Sequence, residues 1–315
     1  MDKKPLIILT GPTAVGKTAL SIALAKKING EMISADSMQV YRGMDVGTAK
    51  IMPDEMEGIP HHLIDVLDPK DSFDVVTFQT MAKKALDEIY AKGKIPVVVG
   101  GTGFYIQALL YDIDFSENDG DDAYRKELTE LLEKNGADYL YEMLRKVDPA
   151  SCEIIHKNNH KRVIRALEFY HQTGQPISEH NEEQSQRNSP YNFLYFVLND
   201  DRQKLYDRIE LRIDKMVDDG LLDEVKQLRE NGCKRGMVSM EGLGYKEILD
   251  YLDGKCTLED ALYILKRDTR HFAKRQITWF KREKEVIWLN RPEFQSEEDI
   301  LNTMTDKMKE RDILV

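Results

Sequence analysis

Eight residues near the start of the chain, Gly11-Pro12-Thr13-Ala14-Val15-Gly16-Lys17-Thr18, have the spacing G-x-x-x-x-G-K-[ST] of a phosphate-binding loop. Its flanks agree with it. Ahead of it, Pro5 to Thr10 is a short apolar run that predicts a buried parallel strand. After it, Ala19, Leu20, Ile22, Ala23, Leu24 and Ile28 recur at helical spacing, and Asn29-Gly30 supplies a stop. A strand feeding a glycine loop that opens a helix traps anions. Backbone N–H groups and the helix N-terminus face the ligand, Lys17 adds a point charge, and the Thr18 hydroxyl can hold Mg²⁺. The loop asks for a polyphosphate and does not say which.

Other residues share the rim that such a loop defines. Asp36 follows the second expected strand, Glu31 to Ala35, on the edge where open parallel sheets bind ligands. Its carboxylate can take a proton from an acceptor or bind a metal-held water, or it can cap a turn. The strongest strand, Ile95 to Val99, runs into Gly100-Gly101-Thr102 with no acid, where a P-loop ATPase typically has an aspartate for Mg²⁺. The glycines let backbone approach a ligand, and Thr102 is either a donor to it or a helix cap. Arg208 and Arg212 lie four apart on one helix, placed to clamp a diphosphate or to pair with Asp207, Glu210 or Asp214. Two segments are locally basic: His156 to Arg165, with Lys161, Arg162 and Arg165 within a turn, and Lys266 to Arg282. In the second, Arg270, Lys274, Arg275 and Gln276 are the expected contacts of a phosphate-rich polymer. His61 and His62 have no metal-ligand partners at useful spacing and read as structural.

The elements that carry these residues alternate. The first third reads as strand and helix in turn, with a third strand at His61 to Val66 and helices at 75–92 and 104–111, the pattern of a P-loop α/β parallel sheet with helices on both faces. From residue 116 the texture changes. Ser116 to Asp122 is acidic and turn-prone, and 123–187 predicts helices alone. Strand character returns at Phe193 to Leu198, so 116–190 reads as an all-α domain inserted in a core formed by 1–115 and 191–315. Helices over 201–218, 221–231 and 258–284 and a strand at Glu285 to Leu289 complete the core.

Composition fits a globular chain of 315 residues, 41% hydrophobic and 32% charged. Three separated cysteines predict a reducing compartment, and no apolar run approaches the roughly 20 residues of a membrane span, so a cytoplasmic monomer is expected. The net charge of −11 argues against a nucleic-acid partner, yet binding answers to the local field of the two basic segments.

Taken together, the P-loop, Ala35 to Lys50 (ADSMQVYRGMDVGTAK), Pro60-His61-His62, Val99 to Tyr105 (VGGTGFY), Arg162 to Glu168 (RVIRALE), Gly242 to Glu247 (GLGYKE) and Ala273 to Trp279 (AKRQITW) resemble the tRNA dimethylallyltransferase, or tRNA isopentenyltransferase, family. The resemblance runs in order to about residue 289. One departure is Asn158-Asn159 where the family usually has Asn-Asp. It implies transfer of a dimethylallyl group from dimethylallyl diphosphate to N6 of the adenine 3′ of the tRNA anticodon, with Mg²⁺ and no obligate protein partner. The P-loop, Gly11 to Thr18 with Arg208, would grip the donor's diphosphate in place of ATP. Asp36 would serve as general base, with Thr102 and Arg212 beside it. Asp36, Ser37, Met38, Gln39, Thr102, Arg125, Lys161, Arg162, Val163, Ile164 and Arg165 would touch tRNA, and the inserted domain would grip the anticodon stem-loop. A small-molecule kinase leaves the basic insertion without a role. A nucleotide switch leaves Asp36 without one, and a prenyltransferase acting on free AMP or ATP leaves the insertion unexplained.

Overall fold

The structure, a computed structural model, describes residues 3–115 and 122–314. Strand β1 (Lys4–Thr10) leads through the glycine loop into α1 (Lys17–Ile28), then β2 (Gly30–Ala35), β3 (His61–His62), α2 (Val75–Ala91), β4 (Ile95–Gly100) and α3 (Gly103–Leu110). Five helices follow: α4 (Asp122–Asn135), α5 (Ala137–Val147), α6 (Pro149–Ile154), α7 (His160–Thr173) and α8 (Ile177–Ser185). The chain ends with β5 (Tyr191–Asn199), α9 (Arg202–Asp218), α10 (Leu221–Glu230), α11 (Tyr245–Leu252), α12 (Leu258–Phe280), β6 (Val286–Asn290) and α13 (Glu297–Glu310).

The strands form one parallel sheet in the order β3-β2-β4-β1-β5-β6. From β1 the chain crosses over β4's place to β2, and after β4 it resumes on the opposite side of β1, at β5. Strand order therefore reverses at β1, and a crevice opens beyond its carboxyl end, where the glycine loop sits. Such a sheet is covered on both faces, which is why Leu6 to Leu9, Ile33, Val97, Val98 and Phe196 to Leu198 are all buried. The expected third strand is cut to two residues. His61 and His62 pair with Met32 and Ile33, and Leu63 (φ 64°) and Asp65 (φ 55°) then leave extended geometry. α12 ends at Phe280, four residues before the expected 284.

Contacts divide the chain into a unit that runs to Leu110 and resumes at Pro190, and a second unit, Tyr111–Ser189. The division falls at Tyr111 where the sequence placed it at 116; of the acidic stretch taken as the boundary, 116–121 lies outside the described residues. The second unit has a core of its own, built on Leu128, Leu140, Leu144, Val163, Ala166 and Leu167. Among the described residues, no helix is long and apolar enough to cross a membrane.

Candidate active site

The glycine loop takes its shape from two close approaches. A Cβ on Gly11 would lie 2.2 Å from the Leu198 carbonyl oxygen, and Gly16 begins α1 at φ 90°, a left-handed value that disfavours other residues. Arg291, just past β6, braces the loop from outside, its Nε donating to the Val15 carbonyl at 3.0 Å. Lys17 Nζ donates to the carbonyls of Gly11 and Pro12, both at 2.9 Å. Burial, helped by the Arg212 charge and opposed by Asp36, brings the Lys17 ammonium down to about 7. A cation in this state gains from an anion beside it.

A cavity of about 310 Å³ opens next to the loop. Thr13, Asp36, Thr102, Arg212 and Gln276 border it with polar groups, and Ile209, Ile213, Met216, Leu265 and Phe272 supply apolar wall. Asp36 Oδ1 accepts from the backbone N–H of Met38 at 2.8 Å and of Gln39 at 3.3 Å, so the turn role is real. Asp36 Oδ2 has no hydrogen-bond partner among the described residues, and a proton acceptor needs that vacancy. Thr102 likewise does two things. Its carbonyl accepts from Tyr105 and Ile106 to start α3, while its residue borders the cavity. Ser37 and Met38 line the same wall; Gln39 turns its amide to the Thr48 and Ala49 carbonyls, each at 3.3 Å.

The two arginines of α9 part company. Arg212 Nη1 donates to the Thr13 hydroxyl at 3.3 Å. Burial pulls its guanidinium below the ordinary value, Asp36 pulls it back, and Arg208 adds a smaller lowering. Arg208 instead pairs with Asp200 at 2.6 Å, none of the three acids expected from helix spacing, and does not border the cavity. Glu210 and Asp214 are taken by Arg270 and Lys266, each at 2.5 Å. A clamp of both arginines is thus not assembled. Of the two, Arg212 alone borders the cavity.

The basic residues also sort themselves. On α12, Arg270 is paired, Gln276 is buried, and Lys274 and Arg275 are exposed with no acidic partner among the described residues. Lys274, Arg275 and Arg282 line a second hollow, of about 480 Å³. In the helical unit Lys161, Arg162 and Arg165 are exposed on α7, whereas Val163 is buried in the unit's core and Ile164 packs against it, so those two side chains are structural. Arg125 makes a two-point pair with Glu168, at 2.8 and 3.0 Å. His62 Nε2 sits 3.0 Å from the buried Glu31 carboxylate. Burial raises that carboxyl, but His62, Lys92 and Lys94 outweigh it and hold it near 2.

Among the described residues no three His, Cys, Asp or Glu side chains gather to hold a metal. Mg²⁺ does not need such a cage, since it keeps several waters and binds through one or two protein oxygens plus substrate phosphates. The exposed Thr18 at the start of α1 fits that donor set. Sequence reasoning missed Glu224, whose carboxylate accepts from the N–H of Asp45, Val46 and Gly47 and from the Tyr245 hydroxyl, at 2.7 to 3.0 Å. It pins the Gly47-Thr48 wall of the cavity, and no local pattern announces it.

A parallel sheet that reverses at β1, with a phosphate-binding loop there and Asp36 and Arg212 bordering one cavity beside it, defines a P-loop protein. The sequence model of the IPP transferase family matches residues 39–283, and the chain belongs to that family. It is 60% identical over 311 residues to a tRNA dimethylallyltransferase of Lachnoclostridium phytofermentans, covering 99% of each chain. The crystal structure of a tRNA isopentenylpyrophosphate transferase from Bacillus halodurans is similar, with a TM-score of 0.74 and 44% identity over 98% of both chains. A eukaryotic dimethylallyltransferase, described as acting on tRNA, has a TM-score of 0.84 and 32% identity, over 98% of this chain and 80% of its own.

Proposed function

We propose that the chain transfers a dimethylallyl group from dimethylallyl diphosphate to N6 of the adenine 3′ of the tRNA anticodon, as a cytoplasmic monomer without an obligate protein partner. The observation that carries the reading is one shared cavity. Thr13 and Arg212 border its phosphate end, Lys17 lies behind them on the loop within electrostatic reach of Arg212 and Asp36, and Asp36 borders the cavity with one oxygen, Oδ2, that has no partner among the described residues. The C1–O bond of the donor breaks and its electron pair leaves with the diphosphate, whose growing charge Lys17 and Arg212 stabilise. The N6 lone pair forms the new bond to C1, and the proton that N6 loses goes to Asp36 Oδ2. Mg²⁺, held through the diphosphate oxygens and Thr18, would add positive charge against the leaving group. The adenine must leave its stack first, which costs less in a loop than in a duplex. The exposed cations of α7 and α12 suit the tRNA backbone.

Incubation with labelled dimethylallyl diphosphate should put label into tRNA with adenine after the anticodon, and none into free AMP or ATP. Transfer or hydrolysis of the ATP γ-phosphate without prenylation would establish a kinase instead.

A further inference from the structure

One side chain of α12, Gln276, hydrogen-bonds to the phosphate loop. Gln276 is 6% exposed, and its amide joins two segments far apart in sequence. Oε1 accepts from the Thr13 N–H at 2.8 Å, and Nε2 donates to the Gly101 carbonyl at 2.9 Å. Thr13 belongs to the phosphate loop and already takes the Arg212 hydrogen bond on its hydroxyl. Gly101 precedes Thr102 on the rim after β4, beside the phosphate loop, and both border the same cavity. One neutral amide therefore ties the phosphate loop to the rim that carries Thr102.

The rim is shaped around this contact. A Cβ on Gly101 would lie 2.1 Å from Gln276 Nε2. A Cβ on Gly103 would lie 2.3 Å from Trp279 Cδ1, one turn further along α12. At both positions the missing side chain makes room for α12. Only an amide supplies an acceptor and a donor side by side at that distance. A carboxylate of the same shape would set an oxygen against the Gly101 carbonyl, and an apolar side chain would leave both backbone groups without a partner.

We infer that Gln276 is a positioning residue for the transfer: it fixes Thr13, and with it the phosphate loop, relative to Thr102, so that the leaving diphosphate and the incoming adenine are held in line. The inference rests on the proposed prenyl transfer. It replaces the expectation that Gln276 contacts tRNA, because its amide is turned inward onto backbone. Geometry of this kind acts on the chemical step, where a misplacement of about 1 Å costs on the order of 10²-fold.

The test uses the full chain, with Gln276→Ala, Gln276→Glu, Gly101→Ala and the double variant Gly101→Ala/Gln276→Ala. Each is assayed for pyrophosphate binding with Mg²⁺, for tRNA affinity and for single-turnover transfer. Gln276→Ala should slow single-turnover transfer by roughly 10²-fold and leave tRNA affinity unchanged. Gln276→Glu, which keeps the volume and guards against a variant that fails to fold, should be as slow. Gly101→Ala displaces the amide and should match Gln276→Ala, while the double variant should be little worse than either single one. Additive losses, a Gln276→Glu enzyme near wild type, or a defect confined to tRNA affinity would overturn the inference. If the wild type does not bind pyrophosphate, the diphosphate reading falls and takes the inference with it. If it does, and Gln276→Ala transfers at the normal rate, the inference falls alone.

Discussion

Asp36 has one role observed in its turn and one proposed as the base, and a pair of substitutions can separate them. Oδ1 supports the Met38-Gln39 turn, Oδ2 has no hydrogen-bond partner among the described residues, and Asp36 borders the cavity. Asp36→Asn keeps an acceptor for the turn and removes the base. Transfer should fall by about 10²-fold or more in both Asp36→Asn and Asp36→Ala, by the size of general-base effects, with tRNA binding kept in the first. An Asn variant near wild type, beside a weak Ala variant, would return Asp36 to the turn alone. Lys17 gives a second test at this scale. Its ammonium lies near 7 in the free protein, so an arriving diphosphate raises it, binding takes up a proton, and affinity falls as pH climbs above that value. Calorimetry of pyrophosphate at about pH 8, in buffers of different ionisation enthalpy, should show proton uptake that Lys17→Met lacks. The loop's strand-to-helix setting and the place of Asp36 at the end of β2 were legible because their neighbours in sequence are their neighbours in space. Arg208 was misread because Asp200 precedes the helix and no i+4 rule reaches it.

Elements were legible where burial has a period. The stretch 123–187, expected to hold helices alone, does so, and α4, α5 and α7 each repeat an apolar stripe toward one small core. β3 was overestimated because six apolar-leaning residues predict a strand, whereas pairing stops after two. What the periodicity does not carry is the polar joint between helices. Asp148 is 1% exposed and accepts four hydrogen bonds, from the N–H and hydroxyl of Ser151 and of Ser178, at 2.6 to 3.0 Å. It caps α6 and ties it to α8. Asp148→Ala leaves buried donors unmatched and should lower the stability of this unit by about 3 kcal/mol in urea unfolding. Burial raises this carboxyl, but the four hydrogen bonds outweigh it and hold it below the ordinary 3.8. With the folded value depressed, its stabilisation is complete above 3.8 and is lost as pH falls through the folded value. The Ala variant should lack that acid-side loss.

At the scale of the whole molecule a net charge of −11 has to meet a polyanion, which makes the unpaired cations more telling than their number. The two basic segments look alike in sequence. In space, Lys266, Arg267 and Arg270 are neutralised by Asp214, Asp268 and Glu210. Lys274, Arg275, Lys281 and Arg282, further along the same helix, have no acidic partner among the described residues. Sequence could not draw this line, because two of the three acids come from α9. The division sets the expected salt dependence of tRNA binding. Each phosphate contact contributes roughly 0.7 to 0.9 to the slope of log K against log salt, so Lys274→Ala/Arg275→Ala should flatten it by about 1.5. Lys161→Ala/Arg162→Ala on α7 should flatten it by about 1.5. Lys266→Ala/Arg270→Ala should leave the slope where it was, since those charges are already answered within the protein. Filter binding across a salt series reads all three. An equal loss of slope from the paired and the unpaired residues of α12 would show that the internal ion pairs open when RNA arrives, and that the partner is not selected by the charges left over.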